Sequence, residues 1–451
     1  MSQMEQQVAR MGEREQACAE YLVHVIAAGL ADAYRVASGG SHETPTAALT
    51  PEPLPEGVTW EAVYRLARQN SVEALAWRGA GVRASEMPEG LRKNWAGEAD
   101  GTLWRRLQFD VERERVIAAA EQAGFSLLPL KGVLTATYYP EPGLRSMADN
   151  DILYGRVEPI PEGEEGYPGF RMRGSDAAAR EQTVAESMRD LKRVMEGLGY
   201  KATHVGTGNH DNYEKKPCFN FEMHRKLASS SNTINADADW SVYYANPWRR
   251  AIQGKDDPRL FHFSDEDEYL FHIAHAFKHF DTSGCGVRCA ADEAVFLKAK
   301  GADMDWGYIA GELEKLGMTA FEDDLRHAAL AAFPTDGGPL PGASLSELSA
   351  ADRTFLLYLL GSGVYGNRQT LVERRMERIA GENGSGSAGA SAKFTYIRER
   401  LCPSGRVLKE NHPFFYRHPV LRPLLAVGRV VKAATIKLPR AASELKLLIR
   451  R

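Results

Sequence analysis

The chain has 451 residues, which is longer than one hydrophobic core normally supports, so we expect two or three domains. Hydrophobic residues make up 43% of the sequence and charged residues 26%, as in ordinary soluble globular proteins. The formal net charge of -4 gives no overall attraction to nucleic acid, so a site for a polyanion has to be local.

The sequence shows no signal for a membrane or for export. Its N-terminal residues lack the apolar run of a secretory signal, and no segment approaches the ~20 apolar residues of a membrane span. The five cysteines are scattered, which is typical of free thiols in a reducing compartment. We therefore expect a cytoplasmic protein.

Residues 1–100 are predicted to form an N-terminal helical region. An apolar stripe at the helical period runs through residues 1–35, and a linker rich in Ser, Gly, Thr and Pro follows at 36–58. Short helices are expected between residues 60 and 97.

A longer amphipathic helix is predicted at 103–123, with an apolar stripe of Leu103, Leu107, Val111, Val116, Ala119 and Ala120.

Residues 101–230 are predicted to form a small mixed α/β core, because strand and helix patterns alternate there. A short apolar strand at 125–130 leads into a break at Lys131-Gly132 and a short helix. The later elements of the core are a strand that opens with Asp149, a helix at 184–198, a strand at 200–205, an exposed turn at 206–216 and a strand at 218–227.

Two carboxylates lie at the start of the second strand. Because alternate side chains of a strand share a face, Asp149 and Asp151 are predicted to project together, with Cα atoms ~6.5 Å apart. Two like charges at this separation repel each other unless a cation lies between them. Oxygen ligands suit Mg²⁺ or Mn²⁺, and nucleotide phosphates are natural partners of these ions. The alternative is a solvated strand end.

The strand at 218–227 alternates strictly between apolar and polar residues. Phe219, Phe221 and Met223 are predicted to take one face. Glu222 and His224 therefore point together, away from the apolar layer.

The chain is predicted to be helical from Ser264 to its end. We expect a helical domain at 231–380, a flexible Gly/Ser/Ala-rich linker at 381–393 and a basic helical tail at 394–451. A basic amphipathic tail can lie on an anionic membrane or contact nucleic acid. A docked helix with a solvated cationic face is the simpler interpretation.

Three histidines share one face of the helix that follows Ser264. His272, His275 and His279 are spaced i, i+3 and i+7, with Lys278 beside them. The spacing can serve a metal, but the histidine-aspartate pair typical of a phosphohydrolase is missing. We prefer packing and substrate contact, with His275, Lys278 and His279 as the contact candidates.

Together these features resemble the nucleotidyltransferase superfamily with the DNA polymerase β-like fold, and more closely its uncharacterised nucleotidyltransferase family, in which the first turn is Lys-Gly. The resemblance covers most of the chain from about residue 60 onward. Asn150 departs from the apolar residue usual between the two acids, and Glu222 stands where Asp is common. The matching segments are LLPLKGVLTATYYPEPGLRSMADNDIL, FNFEMHRKL, FHIAHAFKHF, GVRCAADEAVFL, YIRERLCPS and HPFFYRHPVLRPLL.

The resemblance implies an α+β fold, with a polymerase β-like core (a small mixed sheet with helices) flanked by all-α N- and C-terminal regions. It implies that Asp149, Asp151 and Glu222 are the catalytic residues and hold Mg²⁺ or Mn²⁺. Two metal ions between carboxylates and phosphates supply the charge neutralisation and in-line geometry that phosphoryl transfer needs. Glu222 would also help to activate the acceptor hydroxyl.

The resemblance also implies a nucleotide-binding role for the Lys-Gly turn. Gly132 would let the backbone approach the triphosphate at a helix N-terminus, while Lys131 and Arg145 would neutralise phosphate charge. His224 is a candidate for substrate contact. The alternatives are a plain strand-to-helix turn, surface salt bridges and an ordinary hydrogen-bonded strand histidine.

The expected function is therefore transfer of a nucleoside monophosphate from an NTP, with ATP favoured, to a hydroxyl or phosphate acceptor with release of pyrophosphate. The alternatives are a catalytically silent nucleotide-binding or scaffolding protein and, less favoured, a metal phosphohydrolase built on the histidine helix. The acceptor stays open among small molecules, glycans, peptides and proteins. The net charge disfavours nucleic acid.

Overall fold

Helices and short strands both contribute to the fold, which confirms the predicted mixed α+β class. The computed structural model describes residues 3–40, 49–229, 238–364, 366, 368–382, 390–435, 444 and 447. None of the described helices combines the length and the apolar character needed to cross a membrane.

The α-helices fall into three groups along the chain. In sequence, the strands of the main sheet lie between the N-terminal group and the C-terminal group. The N-terminal group is α1 (Gln3–Ala9), α2 (Glu13–Ala37), α3 (Trp60–Gln69), α4 (Glu73–Ala80) and α5 (Glu89–Gln122). The group within the α/β region is α6 (Gly132–Tyr138), α7 (Ala177–Gly197) and α8 (Trp240–Tyr243). The C-terminal group is α9 (Asp265–Thr282), α10 (Arg288–Lys300), α11 (Trp306–Leu316), α12 (Thr319–Ala332), α13 (Ala350–Ser362), α14 (Arg368–Glu382), α15 (Ala390–Leu401), α16 (Gly405–Asn411), α17 (Pro413–Arg417) and α18 (Arg422–Thr435).

Five strands form the main sheet in the order β1-β2-β7-β6-β5. β2 and β7 are parallel neighbours, while the other adjacent pairs are antiparallel. Two small two-stranded sheets accompany it, β3 with β4 and β8 with β9. The strands are β1 (Ser126–Pro129), β2 (Asn150–Gly155), β3 (Val157–Pro159), β4 (Phe170–Met172), β5 (Lys201–His204), β6 (His210–Lys215), β7 (Phe219–His224), β8 (Ile252–Gln253) and β9 (Phe261–His262).

Apolar residues cover both faces of the main sheet. On one face Ile152 and Phe221 join a buried cluster with α5 and α7, to which those helices contribute Val116 and Leu191. On the other face Leu153 packs with aromatic residues from the segments after the sheet. Since strand side chains alternate, the residues next to Ile152 and Phe221 are directed away from α5 and α7.

One large hydrophobic cluster joins the N-terminal and C-terminal helices. It includes Leu22 of α2 and Trp95 of α5, together with Ile273 of α9 and Leu356 of α13. The two helical regions predicted at 1–100 and 231–380 therefore share a core. Where the domain boundaries fall remains a prediction.

Two predicted helix ends are confirmed by their local chemistry. The Ser264 hydroxyl accepts a hydrogen bond from the backbone N–H of Asp267, at 3.1 Å, and so caps α9. Gly124 follows α5 with a φ of +84°, a left-handed conformation that favours glycine.

Helix α5 is longer than predicted, and only the C-terminal part of the predicted apolar stripe, at Val116 and Ala120, is fully buried. It begins at Glu89 instead of residue 103 and ends at Gln122, close to the predicted end. Three residues of the predicted apolar stripe, Leu103, Leu107 and Val111, are exposed. Toward the N-terminus the buried residues instead include Arg106, Phe109 and Glu112. Two of these are charged and are buried because each has an ion-pair partner, so a search for apolar residues does not find this face. The pairs are Arg106 with Asp110 and Glu112 with Lys215.

The segment 206–216 was predicted to be an exposed turn, and this prediction is wrong for 210–215, which form β6. Tyr213 is fully buried, and so is Asp211. The Asp211 carboxylate accepts hydrogen bonds from the Tyr154 hydroxyl at 3.0 Å and from the backbone N–H of Gly206 at 2.8 Å. A polar sequence can form this strand because its buried carboxylate is hydrogen-bonded.

The two predicted linkers are only partly described. Residues 36–37 belong to α2, residues 51–58 contain no helix or strand, and 41–48 lie outside the described residues. At the second linker, 381–382 end α14 and 390–393 begin α15, so these ends are helical. Residues 383–389 lie outside the described residues.

Two glycines set the close approach of α2 and α4. A Cβ added at Gly79 would lie 2.0 Å from the carbonyl oxygen of Val25, and one added at Gly29 would lie 2.4 Å from that of Leu75. In contrast, a Cβ added at Gly101 of α5 meets no atom within 4 Å. The crossing of α2 and α4 therefore requires glycine, whereas α5 does not require it at position 101.

We expect Gly79→Ala and Gly101→Ala to change stability in opposite directions. Gly79→Ala forces two backbones apart and should destabilise the fold by about 2 kcal/mol or more. Gly101→Ala removes the helix penalty of glycine and should stabilise it by about 0.5–1 kcal/mol. Thermal unfolding followed by circular dichroism measures both changes. An equal or higher melting temperature for Gly79→Ala would contradict the packing described for this crossing.

Candidate active site

Two adjacent strands bring the three predicted acids together. Asp151 of β2 pairs in register with Glu222 of β7, and Asp149 lies one residue before β2 instead of within it. Each of the three offers a carboxylate oxygen, and these atoms all lie within 4.8 Å of one another. Since Ile152 and Phe221 pack toward α5 and α7, the acids occupy the opposite face of the sheet.

Lys131 inserts its ammonium group among these acids. Its Nζ lies 2.6 Å from Oδ1 of Asp151 and 3.4 Å from Nε2 of His224. The backbone of Lys131 has φ +52° and ψ -126°, a conformation that non-glycine residues rarely adopt. Such strain persists only where the surroundings enforce it, and it is concentrated at functional sites.

The three acids have different electrostatic environments. Burial and the charge of Asp151 raise the pKa of Glu222 to about 8. The same two causes raise the pKa of Asp149. Burial would also raise the pKa of Asp151, but Lys131 and His224 outweigh it and hold the pKa well below its usual range. Asp151 is therefore the fixed negative charge, while Asp149 and Glu222 lack a sufficient cationic partner.

Two histidines border the acids on neighbouring strands. His224 of β7 is fully buried, and its Nε2 lies 2.7 Å from Oδ1 of Asp151. His210 of β6 pairs in register with His224, and their ring centroids are 5.0 Å apart. His210, Glu222 and His224 form a second convergent group of ligand atoms that shares Glu222 with the first. As predicted from strand alternation, Glu222 and His224 point together, with 3.8 Å between Oε2 and Nε2.

The Lys-Gly turn is supported from behind by an ion pair. Arg145 Nε and Nη2 donate to the two carboxylate oxygens of Asp292 at 2.8 and 2.9 Å. A Cβ added at Gly132 would lie 2.6 Å from Nη1 of Arg145, so the turn and the guanidinium are in close contact. Arg145, the predicted phosphate ligand, is thus paired with Asp292 of α10 and packs against the turn, and its phosphate-binding role stays a prediction. Helix α6 after Gly132 has seven residues, so its dipole is short.

Helix α9 brings a further cation toward the acids. Burial and the charge of Lys131 lower the pKa of Lys278 to about 8, while Asp151 and Glu222 act in the opposite direction. Burial and Lys131 also lower the pKa of His275 well below its usual range. Burial and Lys278 lower the pKa of His279 to about 3. Both histidines are therefore neutral, and Lys278 is the cation that this helix face offers.

The third histidine of the helix points elsewhere. His272 stacks on Phe296 of α10, with 5.4 Å between ring centroids, and its Nε2 lies 3.3 Å from a carboxylate oxygen of Glu293. The imidazoles of His275 and His279 approach each other to 3.3 Å between their Nε2 atoms. Among the residues that the structure describes, the three histidines do not form a group that could hold a metal.

Sequence reasoning missed several residues around the acids. Arg288 of α10 donates to the backbone carbonyl of Ser146 at 3.3 Å, and burial and Arg145 lower its pKa. Arg288 and Asp292 both lie in the quoted segment GVRCAADEAVFL, spaced four apart on one helix face, and that spacing was the available signal. His210 carries no such signal, because the sequence around it is polar and typical of a turn.

Asn150, the unusual residue between the acids, is fully buried and faces α5. Its Oδ1 accepts a hydrogen bond from Nη1 of Arg113 at 2.9 Å. Arg113 also pairs with Asp110 on the same helix. A polar pair thus replaces the apolar contact expected on the back of β2, and the strand keeps its place in the sheet.

The arrangement suits a ligand that carries many negative charges together with a divalent cation. Three carboxylates converge on one side, and the cationic groups of Lys131, Lys278 and Arg288 lie around them. Oxygen-only donors favour Mg²⁺ or Mn²⁺, whereas lysine and arginine side chains favour phosphate. With a divalent cation bound, such a site could neutralise both its own carboxylates and a polyphosphate.

One comparison with known proteins gives a match. The family model described as "Uncharacterised nucleotidyltransferase" matches residues 56–160 and 183–334, which is more than half of the chain. No curated protein and no solved structure matches the chain. The matched ranges include the three acids, the Lys-Gly turn and the ion-paired residues of α10. On this evidence the chain belongs to the uncharacterised nucleotidyltransferase family.

Proposed function

We propose that the chain is a metal-dependent nucleotidyltransferase with a polymerase β-like core. It would move a nucleoside monophosphate from an NTP, with ATP favoured, to a hydroxyl or phosphate acceptor and release pyrophosphate. The observation that carries the proposal is the convergence of Asp149, Asp151 and Glu222 beside the Lys131-Gly132 turn. Family membership supports the use of an NTP.

The donor set supports a divalent cation at the three acids. Their oxygens lie within 4.8 Å of one another, and burial leaves Asp149 and Glu222 with raised pKa values because too little positive charge faces them. When bound, Mg²⁺ or Mn²⁺ would neutralise phosphate charge and polarise the phosphoryl group. Asp149, Asp151 and Glu222 would hold the ion, with His224 orienting Asp151 through its 2.7 Å contact.

The basic residues would bind the triphosphate. Lys131 is buried against Asp151 and lies where a phosphate next to the acids would meet it. Lys278 approaches from α9 and Arg288 from α10, so the cations come from three different elements. Charge from several sides fixes the orientation of a phosphate chain and stabilises the charge that develops during transfer.

Glu222 is suited to accept the proton of the acceptor hydroxyl. A general base works best when its pKa lies near the working pH. Burial and Asp151 raise the pKa of Glu222 to about 8, and a divalent cation at the three acids would lower it, so that the carboxylate would be ionised and able to accept a proton. His210 lies 3.7 Å from the Glu222 carboxylate and would help to fix its direction.

A catalytically silent nucleotide-binding protein is the second candidate. It is favoured by one observation, the ammonium of Lys131 that lies 2.6 Å from Asp151 and supplies positive charge without a metal ion. In that case NTP would bind with little dependence on a divalent cation. The histidine-helix phosphohydrolase has no comparable support, since His272 is directed toward Glu293 and Phe296.

We expect Asp149→Asn to abolish most of the transferase activity. The substitution removes one ligand charge and leaves the Lys131–Asp151 pair in place, so the fold should survive. Pyrophosphate release from each labelled NTP with Mg²⁺ or Mn²⁺ should fall by about a hundredfold or more, as for the loss of a few kcal/mol of charge stabilisation.

The matched control is Glu158→Gln on β3, whose carboxylate pairs with Arg171 away from the acids, and it should keep wild-type activity. Unchanged activity in an Asp149→Asn/Asp151→Asn double variant would refute the site. Calorimetry that shows tight NTP binding, without turnover for any acceptor and without dependence on Mg²⁺, would instead favour the silent protein.

We expect NTP affinity to fall as the pH rises through about 8. Below this pH Lys278 is protonated and attracts phosphate, and above it the side chain becomes neutral because burial and Lys131 lower its pKa. Calorimetric titration at pH 7 and pH 9 should show a several-fold loss of affinity in the wild type.

Lys278→Gln should bind weakly at both pH values, whereas the exposed control Lys298→Gln should follow the wild type. If Lys278→Gln lost the same factor of affinity between the two pH values as the wild type, Lys278 would not be the titrating ligand.

A further inference from the structure

Helix α18 carries most of its large apolar residues on the outside of the folded chain. Val420, just before the helix, is 89% exposed, and Leu424, Val427 and Val431 are 62%, 60% and 53% exposed. Their spacing of four, three and four residues places them on one stripe along the helix. We call these four residues the α18 apolar stripe.

The opposite face of α18 is half-buried and mixed, because it combines Arg422 and Arg429 with Leu425, Ala426 and Ala433. Arg422 donates through Nε and Nη2 to the backbone carbonyls of Phe415 and Tyr416, both at 3.3 Å. Nη1 of Arg429 is buried and has no hydrogen-bond partner within the described part of the chain. A helix docked for its own stability buries its apolar face, so the α18 apolar stripe is arranged for an external contact.

The helix before the stripe extends this surface with aromatic rings. Phe414 and Tyr416 of α17 are both exposed. Exposed aromatic residues next to an aliphatic stripe are typical of segments that lie at a membrane–water interface.

The charge around the α18 apolar stripe is strongly positive. Residues 411–443 contain no Asp or Glu, and their basic residues are Arg417, Arg422, Arg429, Lys432, Lys437 and Arg440. Arg417 and Lys432 are exposed beside the stripe. Because the whole chain carries a net charge of -4, this positive charge is a local feature.

We propose that the α18 apolar stripe docks on the surface of an anionic phospholipid membrane, with the helix lying in the plane of the interface. The valine and leucine side chains enter the acyl boundary, while Arg417 and Lys432 meet the lipid phosphates. A second copy of the chain fits less well, since it would place two cationic segments against each other. The 14-residue helix is about 21 Å long and does not reach across a bilayer. This inference is independent of the proposed nucleotidyltransferase activity.

Vesicle flotation with the full chain tests the proposal. Vesicles of phosphatidylcholine mixed with phosphatidylglycerol should capture the protein, and binding should weaken as salt is raised, because salt screens the basic residues. Vesicles of phosphatidylcholine alone should bind at least about tenfold less. Leu424→Asp should lower binding to the anionic vesicles about tenfold or more, since it places a charge in the apolar stripe.

Two matched variants separate the contributions. Leu330→Asp, at an exposed leucine of α12, introduces the same change elsewhere and should bind like the wild type. The double variant Arg417→Gln/Lys432→Gln should lose binding to anionic vesicles and keep the helical circular dichroism of the wild type.

Equal capture by neutral and anionic vesicles, no capture by either, or wild-type capture of Leu424→Asp would each overturn the proposal. So would light scattering that showed a dimer disrupted by Leu424→Asp, in a protein that does not bind vesicles.

Discussion

The contact between the Lys131 ammonium and the Asp151 carboxylate, 2.6 Å across and largely buried, is the interaction on which the candidate site depends. The ammonium group neutralises Asp151, the acid that lies within β2, and the contact joins the strained Lys-Gly turn to the sheet. Burying one charge alone would cost several kcal/mol, so each partner requires the other. The remaining acids, Asp149 and Glu222, then lie close together with little cationic support, and a divalent cation would relieve this repulsion.

A second buried ion pair carries this arrangement into the helical core. Arg145 is held by Asp292 of α10, and the hydroxyl of Tyr139 donates to the same carboxylate at 2.9 Å. Helix α10 packs in the large cluster shared by the N-terminal and C-terminal helices. The sheet therefore supplies the acids, while the helices fix the turn that opposes them. The family match covers helices on both sides of the sheet.

Charge in this protein is organised locally. The net charge of the chain is -4, yet Lys131, Lys278 and Arg288 lie around one group of acids. A second set of basic residues lies on the C-terminal helices. The two sites differ in their surroundings. The first is buried, so its charges shift each other's pKa values, whereas the basic residues beside the α18 apolar stripe are exposed and act through long-range attraction that salt screens.

Sequence patterns determined the parts of this protein that depend on near neighbours. Strand alternation placed Glu222 and His224 on one face, because this feature follows from backbone geometry alone. The predicted convergence of Asp149 with Asp151 is also present, although Asp149 lies just outside β2. Tertiary structure decided what those residues meet. The buried strand β6, the burial of Glu112 on α5 and the engagement of Arg145 with Asp292 all rest on partners far away in the sequence. A polar residue's place in the core is set by the partner that satisfies it.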